Sequence, residues 1–202
     1  MRKAQAMGAM RNKGAVVVAL ALLGGCVSLG GKVPPTLFTL TAQQSAPAGN
    51  MAGGSPAQAI MVMQPETDQR LAVLRVPVRI DDAQVAYLQD AQWVDRPARL
   101  LRSLIAETLR AKGGRLVLED DQAAKLVGTR LSGRLLDMGY DARAMAVVVR
   151  IDAVRTDAKG IIATRRFEAE VPGVSAKPEQ VGPALNKAAN QVAMEIAEWV
   201  GG

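Results

Sequence analysis

The chain switches between two hydrophobic periods, and each switch marks an element. "TLFTLT" (36–41) alternates and is rich in strand formers, the mark of a strand with one buried face. "AIMVM" (59–63) supplies a short apolar strand. "LAVLRVPVRI" (71–80) puts Ala72, Leu74, Val76, Val78 and Ile80 on one face. Pro77 inside it predicts an edge position or a break, because proline has no N–H to give a ladder. "QVAYLQ" reads as a further short strand. The period then lengthens to that of a helix. Leu100, Leu101, Leu104, Ile105 and Leu109 form one stripe, with Asp95 as its cap, Pro97 in the first turn and Gly113–Gly114 as its stop. The arginines at 96, 99, 102 and 110 fall mostly off the stripe and are expected in solvent.

"RLVLE" is another short strand, and three strand-like stretches follow at 125–136, 144–155 and 160–171. Asp157 to Gly160 predicts a hairpin turn between the last two, and Pro172–Gly173 ends the series. From about Pro178 to Val200, the residues Val181, Leu185, Ala188, Val192, Ile196 and Trp199 step by three or four and share a helix face. Consecutive strands predict a mainly antiparallel sheet. Two amphipathic helices packed on one face make this an α+β two-layer sandwich, a single domain. The other face is then polar or binds something. Residues 42–70 hold Gly, Pro, Ser, Ala and Gln with little periodicity, a flexible insert. There is no internal repeat.

The first 25 residues follow a different rule. Arg2, Lys3, Arg11 and Lys13 precede the apolar run Ala15–Leu23, and no acidic residue does. The run is far shorter than the roughly 20 residues that cross a bilayer. It fits the apolar region of a secretory signal, with a basic region before it. The run ends Leu23-Gly24-Gly25-Cys26, which resembles the lipobox of bacterial lipoproteins: an aliphatic residue, two small residues, then cysteine. Small residues let the backbone enter a peptidase, and the thiol accepts a diacylglyceryl group. Residues 1–25 are therefore expected to be a signal peptide cut between Gly25 and Cys26. Acylated Cys26 becomes the lipid anchor and residues 26–35 a tether. The resemblance implies three acyl chains, and two or more anchor stably. In Gram-negative lipoproteins, aspartate after the cysteine favours inner-membrane retention. Val27 stands there, which implies the periplasmic face of the outer membrane. A flexible tether of about ten residues spans roughly 17 Å in r.m.s. terms, so the domain stays near its membrane.

Charge and composition narrow the chemistry. The formal net charge is +6, and setting aside the four basic residues of the first 25 lowers it to +2. That leaves no electrostatic footprint for nucleic acid. With no histidine and one cysteine, Ser-His-Asp and Cys-His triads, a Cys/His zinc site and an intramolecular disulfide are all excluded. Dinucleotide and P-loop glycine motifs are missing. "EDD" (119–121) is the densest carboxylate cluster and reads as a solvated turn or helix cap. The minority alternative is a metal or acid/base site using Glu119 and Asp121. No catalytic residue, metal or cofactor is expected beyond the covalent lipid on Cys26. Trp93 either staples the first helix or faces a partner, and Trp199 on the last stripe reads as core. The residues alone describe a lipid-anchored, non-catalytic binding or assembly component.

Several stretches together resemble the ABC-type transport auxiliary lipoprotein family, which includes the lipoprotein of the paraquat-inducible (Pqi) transport system. "TLFTL" resembles the family's Tyr-x-Leu strand, and "LRVPVRIDDAQVAYL" its Val-Pro-x-Tyr-Leu segment and following strand. "QWVDRPARLLRSLIAETL" is similar to its helix start and helix. "LSGRLLDMGYDARAMAVVVRIDAV" resembles its hairpin, and "TRRFEAEVP" the strand before its last helix. The likeness runs over about 26–200. Phe38 stands where tyrosine is usual, and Arg79 where an aromatic often follows Val-Pro. The resemblance implies partners: an MCE-domain protein with its ABC permease and ATPase, which move lipids between the two membranes. This chain would dock that assembly at the outer membrane, with a lipid ligand also conceivable. Trp93 and Tyr140 are the surface candidates for partner contact. The alternative function is a structural or assembly lipoprotein for outer-membrane protein or lipopolysaccharide insertion.

Overall fold

The computed structural model describes residues 36–49, 52–119 and 127–201. They belong to one compact unit, Val33–Gly202. The strands in chain order are β1 (Ile60–Val62), β2 (Arg75–Arg79), β3 (Val85–Gln92), β4 (Val117–Leu118), β5 (Thr129–Asp141), β6 (Ala146–Thr156) and β7 (Ile162–Pro172). Helix α1 (Pro97–Lys112) lies between β3 and β4, and helix α2 (Pro178–Gly201) follows β7. Thus 59–63 does yield a strand inside the presumed insert, and 36–41 contributes only a bridge, Phe38 to Trp93.

The α+β reading holds, but the sheet is mixed rather than mainly antiparallel. β5–β6, β6–β7 and β2–β3 are antiparallel; β1–β4, β1–β5 and β2–β5 are parallel. The reason is geometric. β6 follows one edge of β5 from Arg130 to Asp141, so only the other edge is left. β1 takes the level of Thr129–Leu131 there, and β2 takes Tyr140–Asp141. These partners are distant in sequence and run the same way as β5, whereas hairpin reasoning sees only neighbours. β2 is accordingly an interior strand, not an edge. Pro77 is absorbed by a register shift between Arg75 and Pro77 and by Gly139 on β5, where any Cβ would collide with the Pro77 ring and carbonyl. Of the expected face of 71–80, only Val76 and Val78 are buried, while Leu74 and Ile80 are exposed.

Ala146–Val149 of β6 are all buried, and alternation sets in from there. Val147, Val149, Ile151 and Ala153 point into the core with Phe167 and Ala169 of β7. Both helices cover this side. α2 contributes Val181, Leu185, Val192 and Ile196, all fully buried, and α1 contributes Leu101, Leu104 and Ile105. Each large side chain so buried is worth about 1.5–3 kcal/mol. Trp199 is half-buried at the margin, 5.6 Å from the Phe167 ring.

Two local expectations on α1 are corrected. The N-cap is Arg96 rather than Asp95. The Asp95 carboxylate accepts the Arg96 N–H at 2.7 Å and pairs with Arg99 one turn on. Arg102 and Arg110 are not free in solvent: both reach back to Glu119, Arg110 at 2.8 Å and Arg102 at 3.6 Å.

Candidate functional site

Residues 36–46 run along the helices and are tied down by their side chains. Asn186 and Asn190 stand one turn apart on α2. Asn186 Oδ1 accepts the Thr41 N–H and Asn190 Oδ1 the Gln43 N–H, both at 2.8 Å. Asn190 Nδ2 donates to the Thr41 carbonyl at 2.9 Å, and Glu107 of α1 accepts the Ala46 N–H at 2.9 Å. Asn190 is buried within an otherwise Ala-rich helix face, and a buried amide is tolerated only when its bonds are made. Phe38 anchors the upper end. Its ring meets the Trp93 indole edge-on at 5.7 Å. It also lies so close to Gly182 that a Cβ there would come within 3.0 Å of it. Glycine is what lets the ring sit against the helix.

Between this segment and the first turns of α2 lies an open groove of about 560 Å³. Phe38, Pro178 and Pro183 supply its apolar wall, and Thr36, Thr39 and Glu179 its polar rim. Pro183 has no N–H to offer the Glu179 carbonyl, so the helix ladder is interrupted at the groove.

The uncovered face of β5–β6–β7 is a charge lattice. Ladder register puts Asp137, Arg150 and Glu168 in one row and Arg134, Asp152 and Arg166 in the next. Sign alternates along each row and between rows, as favourable cross-strand pairing requires. Arg150 meets Glu168 at 3.0 Å, and Arg166 meets Asp152 at 2.6 Å. These hydrogen bonds hold the Glu168 and Asp152 carboxyls below their ordinary values. Burial pushes Asp137 up, against Arg70 at 3.5 Å. Burial also pushes Asp141 up, but the Ala144 N–H, Arg79 and the Arg143 N–H outweigh it and leave the carboxyl lowered. The face is polar, as expected, but self-neutralising: it offers hydrogen bonds without a net field.

Of the residues singled out from sequence, Gly25, Cys26, Val27, Asp120 and Asp121 lie outside the described residues. Trp93 and Tyr140 are interior, 1% and 5% exposed, which corrects their expected place at the surface. Trp93 closes over Phe38, its indole N–H without a hydrogen-bond acceptor. The Tyr140 hydroxyl donates to the Val174 carbonyl at 2.7 Å. Glu119 is held by Arg102, Arg110 and the Ser103 hydroxyl, a structural brace between β4 and α1. Asn186 and Asn190 do not belong to the hydrophobic stripe that defines α2; their signal in the sequence is two amides spaced i, i+4 in an alanine-rich helix.

Among the described residues, no group of three or more His, Cys, Asp or Glu side chains is placed to hold a metal. No helix among them is long and apolar enough to cross a membrane. The features that stand out are surfaces: a groove, a tied-down N-terminal segment and a neutral polar face.

Comparison with known proteins agrees with the fold. A crystal structure of a protein from Xanthomonas campestris superposes with a TM-score of 0.66 at 17% identity, covering 81% of this chain and 94% of that one. The crystal structure of an uncharacterised protein gives 0.62 at 16% identity, covering 74% and 96%. At such identities these likenesses speak for the fold alone. No curated protein matches the sequence. Residues 38–197 match the family described as the ABC-type transport auxiliary lipoprotein component. That span starts at Phe38 on its Trp93 seat and ends one turn short of the end of α2, so it takes in the whole sheet, α1 and most of α2. The chain belongs to the ABC-type transport auxiliary lipoprotein component family.

Proposed function

We propose that this chain is the outer-membrane-anchored, non-catalytic auxiliary subunit of an ABC/MCE-type intermembrane lipid transport system. In this reading Cys26 carries the acyl anchor, Val27 directs the chain to the outer membrane, and the folded domain docks the periplasmic end of an MCE assembly. The observation that carries the reading is the family match over 38–197, starting twelve residues after a lipobox cysteine. The structure supports it in kind. Residues 38–43, twelve positions after Cys26, are fixed to the domain through Trp93, Asn186 and Asn190, so an acylated Cys26 would be tied to the folded domain through a short segment. The neutral, hydrogen-bonding sheet face suits a protein partner better than a polyanion.

The test is a pull-down of C-terminally tagged protein from solubilised membranes, beside a Cys26→Ala control, with partners identified by mass spectrometry. The expected result is an MCE-domain protein with its permease and ATPase. Recovery of outer-membrane assembly factors without any MCE protein would overturn the reading in favour of an assembly role.

A further inference from the structure

The molecule has two ends, one strand-length apart, and the N-terminal segment leaves from only one of them. Residues 38–43 run parallel to α2: Phe38 lies at Gly182, Thr41 at Asn186 and Gln43 at Asn190. Traced backward, the chain therefore climbs toward the start of α2. Thr36 indeed lines the groove together with Pro178 and Glu179. The start of α2 sits at the hairpin end of the sheet. The Val174 N–H, four residues before Pro178, donates to the Met145 carbonyl, and its own carbonyl receives the Tyr140 hydroxyl.

That end is made of two hairpin tips, β2–β3 and β5–β6. They are joined by the Ala142 N–H on the Arg79 carbonyl and by Arg143 on Asp82 at 3.2 Å. Three aliphatic side chains project from these tips: Met145 at 61% exposure, Val85 at 46% and Ile80 at 41%. Met145 does so from a left-handed backbone, φ 48°, a conformation that costs a non-glycine residue energy. Packing inside this chain does not explain a large apolar residue held there in solvent. Around the tips Arg79 is paired with Asp141 and Arg143 with Asp82, and the Asp81 carboxylate accepts the Ala83 and Gln84 N–H groups, so these five groups leave a single negative charge.

We infer that this hairpin end is a membrane-contacting face. Ile80, Val85 and Met145 enter the interface of the same bilayer that holds Cys26, and so set the orientation of the domain. The inference rests on the acylation of Cys26. Ten residues from Cys26 to Thr36 span roughly 17 Å in r.m.s. terms, about half the separation of the two ends, and Thr36 lies beside the start of α2 at this end. With two ion pairs and one residual carboxylate, Asp81, the tips fit a zwitterionic rather than an anionic lipid surface, with apolar insertion rather than net charge as the attraction. The opposite end also exposes aliphatics, Ile161 and Ile162, at 62% and 66%. It lies about 33 Å away along β6, taking eleven residues at strand rise. The two ends are thus each other's control, and the exit point of the chain selects between them.

Because Cys26 is the only cysteine and acylation consumes its thiol, an introduced cysteine is the single labelling site. Full-length protein extracted from membranes is labelled with a bimane dye at Met145→Cys, Val85→Cys or Ile162→Cys. It is then reconstituted into phosphatidylcholine–phosphatidylethanolamine vesicles with or without nitroxide-bearing lipid. The expected result is several-fold stronger nitroxide quenching at 145 and 85 than at 162, with blue-shifted emission at the first two. Equal quenching at all three, or quenching at 162 alone, overturns the inference. Two further readouts identify which idea failed. Protein that does not float with the vesicles, or a parent chain that takes up dye at Cys26, defeats the anchor reading and this inference together. Floating, unlabelled parent with unquenched dye at 145 and 85 defeats this inference alone.

Discussion

The two faces of β6 and β7 share a backbone and little else. Inward, Val147, Val149 and Ile151 meet Phe167 and Ala169 under α2. Outward, Arg150 and Asp152 meet Glu168 and Arg166 across the same ladder. The first face holds the fold together by burial. The second adds little stability, since exposed ion pairs are worth about 0–1 kcal/mol, yet it keeps a long open sheet soluble and electrically quiet. Stability and availability to a partner are thus separated by a rotation of one residue along the strand, which is why a register slip here would be ruinous.

Substitutions on the two faces should therefore differ sharply. Leu185→Ala, under the sheet and fully buried, is expected to cost about 2–5 kcal/mol, read as a lowered urea midpoint. A loss below about 1 kcal/mol would mean that the covered face is not the core described. Asn190→Ala leaves the Gln43 N–H and the Thr41 carbonyl without their partner. It should cost about 1–3 kcal/mol and make the 36–46 segment sensitive to limited proteolysis; unchanged cleavage would show that the amides are not what holds it. Met145→Gly at the hairpin tip has the opposite sign. It relieves the left-handed strain and should stabilise the domain by up to about 1 kcal/mol, seen as a raised Tm, while dye quenching at Val85→Cys falls.

The smallest effect belongs to the open face. Glu168→Gln should cost less than about 1 kcal/mol at neutral pH. Glu168 is held below its ordinary value by Arg150. Its contribution is therefore full above the unfolded glutamate pKa and is lost as pH falls through the lowered folded value. The gap between the parent and Glu168→Gln should close on acidification below about pH 4.5, the ordinary glutamate value. A gap that widens instead would contradict the Arg150 pairing.

Elements with local causes were legible in the sequence. The α2 stripe, the Asp157–Gly160 turn and the α1 glycine stop follow from spacing alone, and all three are present. Long-range pairing was not legible. Nothing near β1 or β2 says that both share one edge of β5, so the parallel half of the sheet and the interior position of Pro77 were missed. Burial of Trp93 and Tyr140 was hidden for the same reason, since Phe38 and Val174, which cover or bond them, are distant in sequence. With two amphipathic helices covering the other face, it follows that the open face is polar or binds something. Its sign alternation depends on register and became visible only with the strands aligned.

The most direct test of the docking role is where the MCE-domain protein travels on a density gradient after mild cross-linking of intact cells. With the native chain, a fraction should move with the outer membrane, and Cys26→Ala should return it to the inner-membrane fractions. Native chain retained in the outer membrane, with an MCE distribution the same in both strains, would contradict the account.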